Sequence, residues 1–188
     1  MTMAFLTVVT RCYKRPQMLR VNKASLAAQT DKDWEQIFIV DEIGRGTYWA
    51  NQSFYRNRHL VKGDYVYMLD DDDCLVCNDF VSDLKEIAKA SNAAAVLVKA
   101  TASGRTLPTD LVWKIEKYPV IGNIGSGNFI VRSDYWQRHI RAFGQPTAGD
   151  YSFICDVFDD VKANNDNIYW FDKVVMRAQE VSYGKPEA

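Results

Sequence analysis

The sequence predicts an α/β fold, a mostly parallel central sheet flanked by helices, on three observations. Short apolar runs recur at Ala4 to Thr10, Glu35 to Val40, Tyr65 to Leu69 and Ala93 to Lys99. Helical stretches separate them, the alternation that builds right-handed βαβ units. Two of the runs end on acids, Asp41 and Asp70 to Asp73. Both acids therefore belong at the carboxyl edge of the sheet, where open α/β folds bind ligands.

Each element has its own warrant. Ala4 to Thr10 is rich in β-branched residues and runs into a polar loop, as a strand does. Arg15-Pro16 opens a helix to about Thr30, with Met18, Leu19, Leu26 and Ala27 as its apolar face. Glu35 to Val40 is a second strand; a glycine-containing loop, Glu42 to Thr47, leads to a helix from about Tyr48 to Lys62. Tyr65 to Leu69 has no polar break and reads as a strand buried on both faces. Asn78 is placed to cap a helix running to about Ser91, before the strand at Ala93 to Lys99. Residues 101–122 are loop-rich. Gly122 to Arg132 reads as a glycine-rich turn entering a strand, and Ser133 as the cap of a short helix through Tyr135 and Trp136. Gly149-Asp150-Tyr151 opens an amphipathic helix with Phe153, Ile154, Val157, Phe158 and Val161 buried. A last aromatic strand lies within Ile168 to Met176, and the tail past Tyr183 is expected to be loose.

Composition bounds the function. The 188 residues are 47% hydrophobic and 25% charged, enough for one domain with a sizeable core and no visible linker. A net charge of −1 argues against nucleic-acid or anionic-membrane partners through bulk electrostatics. The apolar run Ala4 to Val9 is a strand rather than a signal peptide, and no stretch reaches the roughly 18 apolar residues of a membrane span. Four cysteines without a secretory signal are expected as reduced thiols in a cytoplasm.

The acidic run is the feature that demands chemistry. Four adjacent carboxylates after a buried strand repel one another unless cations or donors neutralise them. Asp70 and Asp72, two apart in extended backbone, point the same way. That pair suits a hard divalent cation, Mg²⁺ or Mn²⁺, which takes carboxylate and phosphate oxygens. The plainer reading is a solvated acidic turn.

The ordered set Arg15-Pro16, Ser25-Leu26, Gln29, Ile39-Val40-Asp41, Gly63-Asp64-Tyr65-Val66 and Leu69 to Asp73 resembles the GT-A-fold, family-2-type nucleotide-sugar glycosyltransferases. The resemblance covers residues 4–98 well and 120–160 more thinly. It implies a Rossmann-like sheet within one domain, residues 1–188. About 1–100 would be the nucleotide-binding half and about 101–188 the acceptor-binding half. It implies that Thr10 and Arg11 border the nucleotide, that Asp41 accepts a hydrogen bond from the base, and that Asp70 and Asp71 lie at the nucleotide. Asp70 and Asp72 match the family's DxD pattern and would hold the metal, Asp73 the acid that follows it. Asp150 resembles the catalytic base of inverting members. The partners implied are a nucleotide-diphospho-sugar donor, a UDP-sugar foremost, and a carbohydrate or other hydroxyl acceptor. The sequence departs from the family's pattern at Glu42, where a second Asp or Asn is common. At Gly149 a glutamate is usual, and a late metal-binding histidine has no obvious counterpart.

Competing readings attach to each residue. Asp41 at a strand end also suits a turn, and Asp150 at a helix start also suits a cap. Trp113, Tyr118, Trp136 and Tyr151 suit either sugar stacking or the core. Cys74-x-x-Cys77 lacks the second pair of a structural zinc and reads as two small buried hydrophobes. Gly44-x-Gly46 and Gly125-x-Gly127 read as loop hinges, and His59 and His139 as surface residues. A phosphatase with an Asp nucleophile, a sugar nucleotidyltransferase and a nucleotide-sugar-binding pseudoenzyme are the alternatives. Leu75 and Val81 stand where a calcium loop needs Gly and Glu.

Overall fold

The computed structural model describes residues 4–179. The elements run β1 (Leu6–Cys12), α1 (Pro16–Ala27), β2 (Trp34–Val40), α2 (Gly46–Arg56), β3 (Tyr65–Met68), β4 (Asp73–Leu75) and α3 (Phe80–Ser91). There follow β5 (Ala95–Ala102), β6 (Arg105–Leu107), β7 (Phe129–Arg132), α4 (Ser133–His139), α5 (Gly149–Ala163) and β8 (Ile168–Ala178). A π-helical turn, Leu111–Glu116, and a 3₁₀ turn, Ser126–Asn128, shape the expected loop region. No helix among the described residues is long and apolar enough to cross a membrane. The tail past Tyr183 lies outside the described residues.

The α/β class is as expected, but the sheet is mixed rather than mostly parallel. Its order is β2-β1-β3-β7-β5-β8-β4, with β6 a hairpin partner of β5. β1 runs parallel to β2 and β3, while β7 lies antiparallel to both β3 and β5. β3 and β5 therefore still point the same way, as a helical crossover through α3 requires. β7 inserts between them, bringing the glycine-rich turn to the carboxyl edge of the sheet.

The alternation of β3 explains its burial. Tyr65 and Tyr67 pack with Leu6, Val8, Phe80 and Leu84 on the α1 and α3 side. Val66 and Met68 pack with Phe54, Trp136, Phe153 and Val157 on the α2, α4 and α5 side. All four strand residues are buried. In α1 the buried positions are Met18, Asn22 and Leu26 rather than Leu19 and Ala27, so a polar residue sits in the middle of the inward face. α2 begins at Gly46 and ends at Arg56, well before Lys62.

Two expected caps move by one residue. Asp79 occupies the N-cap of α3 in place of Asn78, and Arg132 that of α4. The Ser133 hydroxyl instead donates to the Gly63 carbonyl and ties α4 to the start of β3. All four cysteines are free, Cys74 buried and Cys77 half-buried. His139 is half-buried against the Asp160 carboxylate at 2.8 Å, not a loose surface residue.

Candidate active site

The acidic run is shaped by its backbone before its side chains act. The β1–β3 ladder continues past β3, where the Asp71 N–H donates to the Arg11 carbonyl at 3.2 Å. The chain then turns, the Asp73 N–H donating to the Asp70 carbonyl at 3.0 Å. Asp70 and Asp72 therefore converge through a turn, not through the extended alternation expected. Polar residues of α1 and of the segment just after it hold the turn and the strand that follows. Asn22 Nδ2 donates to the carbonyls of Asp70 at 2.9 Å and Asp73 at 3.0 Å. Ser25 Oγ accepts the Leu75 N–H at 3.0 Å, and Gln29 donates to the Cys77 carbonyl at 2.7 Å. On the far side the Gln179 N–H donates to the Asp72 carbonyl at 2.6 Å. With the backbone groups satisfied, the carboxylates are left to face one another and the loop after β1.

Two arginines meet them, Arg11 from the end of β1 and Arg15 from the loop after it. Arg11 grips Asp70 with both ends of its fork, Nε to Oδ1 at 2.7 Å and Nη2 to Oδ2 at 2.5 Å. Its Nη1 donates to Asn51 Oδ1 at 3.0 Å, and its guanidinium lies 4.7 Å from the Phe54 ring centre. Burial works against the Arg11 charge, but Asp70 outweighs it and holds the pKa above the usual value. Arg15 pairs with Asp72 and lies 2.6 Å from Asp71 Oδ1, a charge contact rather than an aligned hydrogen bond. The Tyr13 N–H donates to Asp71 Oδ2 at 2.9 Å.

Burial dominates the proton affinities of the cluster. It pushes the Asp71 carboxyl up to about 6 against the Tyr13 N–H and Arg15. Burial and then Asp70 raise Asp72, and burial with Asp70 and Asp72 lifts Asp73 well above the carboxylate range.

Asp41 and Thr10 behave differently. Asp41 closes the turn after β2, its carboxylate accepting the N–H groups of Ile43, Gly44 and Arg45 at 3.2, 3.0 and 2.6 Å. Burial opposes its charge, but these donors hold the pKa below the usual carboxylate value. Gly44 is no hinge: with φ at +81°, a Cβ there would meet the Tyr13 hydroxyl at 2.3 Å. The Thr10 side chain is fully buried on the α1 side, accepting from Gln36 at 2.8 Å, so it does not border the site as expected.

Asp150 enters from the other half of the chain. It stands in the first turn of α5, but Ala148 is the N-cap, so a capping role is not what places it. Its carboxylate accepts the Tyr151 N–H at 2.8 Å, and its charge is felt at both Arg11 and Asp70. Burial raises its pKa against the Tyr151 N–H and Arg11. Gly149 explains the missing glutamate: a Cβ there would lie 2.1 Å from the Phe143 carbonyl oxygen. α2 secures this approach, Asn51 Nδ2 donating to the Gln145 carbonyl at 2.9 Å and Gln52 to that of Gly144 at 2.7 Å. Gly127 is a packing position, where a Cβ would sit 1.9 Å from the Met176 methyl; at Gly125 a Cβ would meet Asp150 Oδ2 at an ordinary contact distance of 3.6 Å. Trp113 and Trp136 are buried and cannot stack on a sugar; Tyr118 and Tyr151 keep exposed surface.

Asp70, Asp72 and Asp73 each offer an oxygen, and the three atoms lie within 4.8 Å of one another. An all-oxygen set of this size fits a hard divalent cation such as Mg²⁺ or Mn²⁺.

Neither a protein-family model nor a curated protein matches the sequence. Solved structures do match. TarS 1-349 of S. aureus in complex with UDP-GlcNAc superposes with a TM-score of 0.69 at 16% identity, over 94% of this chain and 59% of that one. TarS 1-349 in complex with UDP gives 0.67 at 15% identity, over 95% and 61%. The chain thus spans about three-fifths of the length of these structures. The likeness is one of fold: the α/β architecture of a central sheet flanked by helices, which the sequence resemblance implied, is shared with these structures over most of this chain.

Proposed function

We propose that this chain transfers a sugar from a nucleoside diphosphate donor, a UDP-sugar foremost, to an acceptor hydroxyl with inversion. The observation that carries this reading is the meeting of Asp150 with the oxygen cluster. A carboxylate of raised pKa shares one electrostatic environment with Arg11, Asp70 and the three-oxygen set at the end of β3. The likeness to structures solved with UDP-GlcNAc and UDP supports the same donor class.

In this reading Asp70 and Asp72, with Asp73 behind them, would hold the cation. Bound there, it would supply a Lewis acid that stabilises the departing diphosphate. Asp150 accepts the proton of the acceptor hydroxyl as that oxygen bonds to the sugar and the bond to the diphosphate breaks. Displacement in one step from the opposite face inverts the anomeric carbon. Residues 1–100 form the donor half and 101–188 the acceptor half, with Tyr118 and Tyr151 the aromatic faces still open to an acceptor.

A thermal-shift series of nucleoside diphosphates with and without Mn²⁺ tests this. UDP with Mn²⁺ is expected to stabilise the protein more than either alone; no shift with any nucleoside diphosphate would remove the donor from the reading. Transfer from a UDP-sugar over an acceptor panel then separates an enzyme from a binding module.

A further inference from the structure

The two arginines at the acidic cluster are held in unlike ways. Arg11 is boxed in: its fork is filled by Asp70, its remaining end by Asn51, and its face by Phe54 and Phe143 at 4.7 and 5.7 Å. Arg15 is not. Its backbone is fixed at the N-cap of α1 ahead of Pro16, yet its Nε is buried without a hydrogen-bond partner. A buried donor left open costs stability unless something completes it. That donor belongs to a guanidinium, the group whose flat fork matches phosphate oxygens.

We propose that Arg15 is an exchangeable counter-ion of this site. With no donor bound it neutralises Asp72; when a divalent cation takes Asp72, the guanidinium turns to the diphosphate, pivoting on Asp71. Arg11 keeps Asp70 throughout. The inference rests on the donor reading above and adds an order to it: cation and diphosphate arrive together, because each relieves what the other displaces. Asp71 suits the pivot because it is almost fully buried and already tied to the Tyr13 N–H. The remaining partner, Asp72, is the more exposed of Arg15's two carboxylates, at 22% against 1%.

The test measures Mn²⁺ binding alone, by the electron-spin signal of free Mn²⁺, and UDP binding in Mn²⁺ by calorimetry. Wild type, Arg15→Gln, Arg15→Lys and Arg11→Gln are compared. Removing the competing charge should make Arg15→Gln bind Mn²⁺ alone about tenfold more tightly and UDP with Mn²⁺ about tenfold more weakly. Arg15→Lys should stay near wild type for Mn²⁺, and Arg11→Gln, which leaves Arg15 on Asp72, should gain less Mn²⁺ affinity than Arg15→Gln. Unchanged or weaker Mn²⁺ binding by Arg15→Gln, or unchanged UDP binding, overturns the proposal. Wild-type protein that binds Mn²⁺ but no nucleoside diphosphate overturns the donor reading and the diphosphate half of this one, while the Mn²⁺ comparison still decides whether Arg15 competes for Asp72. Should Arg15→Gln not fold, the Arg15 Nε–H resonance of the wild type decides. It is expected to move on adding Mg²⁺ and UDP while that of Arg11 stays, and a stationary Arg15 signal overturns the proposal.

Discussion

Acids follow both of the strands that flank β1 in parallel, β2 and β3, and their surroundings could hardly differ more. Asp41, after β2, is satisfied by three backbone N–H groups of its own loop, and its proton affinity is lowered. The acids after β3 have their backbone groups tied down by Asn22 and Gln179, while the proton affinities of Asp71, Asp72 and Asp73 are raised by burial and by neighbouring carboxylates, Asp70 among them in each case. Asp41 builds a turn. The cluster crowds carboxylates together, which raises their proton affinity. The lesson is that position at a strand end does not distinguish the two uses; the source of the hydrogen bonds does.

The contrast can be broken most severely at Asp150, which shares the raised proton affinity of the cluster. Asp150→Asn is expected to lower transfer about 10²- to 10⁴-fold while UDP binding in Mn²⁺ is kept; steady-state rates beside calorimetry check it. Asp72→Ala comes next. It should abolish the gain in UDP affinity that Mn²⁺ provides, with the melting temperature of the free protein little changed. Asp41→Ala should do the reverse, destabilising the free protein by about 1–3 kcal/mol in urea denaturation because three N–H groups lose their acceptor. If Asp72→Ala unfolds the protein and Asp41→Ala leaves its stability alone, the distinction between builder and ligand site is wrong.

The smallest expected effects are in pH. A base must be deprotonated, so a raised pKa moves the acid limb of the transfer rate to higher pH than an ordinary aspartate gives. Replacing Asp150 should remove that limb from whatever activity remains. Asp41 has the opposite sign. Its pKa is lower folded than unfolded, so its contribution to stability is present above the ordinary carboxylate range and lost as pH falls through the folded value. Acid denaturation of Asp41→Ala against wild type should therefore converge at low pH.

Much of this was legible in the residues. The strand–helix order could be read because each run carries its own period, and the acids at Asp41, Asp70 to Asp73 and Asp150 announced themselves by place. The mixed sheet could not, since pairing β7 between β3 and β5 is decided by contacts far apart in the chain. Arg15 showed only as the residue before a helix-opening proline; its ion pairs span more than fifty residues and leave no local pattern. Asn22 did leave one. With Ser25 and Gln29 it forms a polar stripe at helical spacing beside Met18 and Leu26, a signal for side chains that bind neighbouring backbone. Thr10 misled because a strand residue beside a loop alternates inward, and its hydroxyl found Gln36 rather than a ligand.

The strand that flanks the acidic turn on its far side arrives last. β8 pairs Ala178 with Asp73 and Met176 with Leu75, and Gln179 reaches the carbonyl of Asp72. On the ribosome, the first hundred residues can emerge with every carboxylate of the cluster in place and still lack the edge that frames them. The acidic turn of a nascent chain therefore stays without its flanking edge until residue 179 is free.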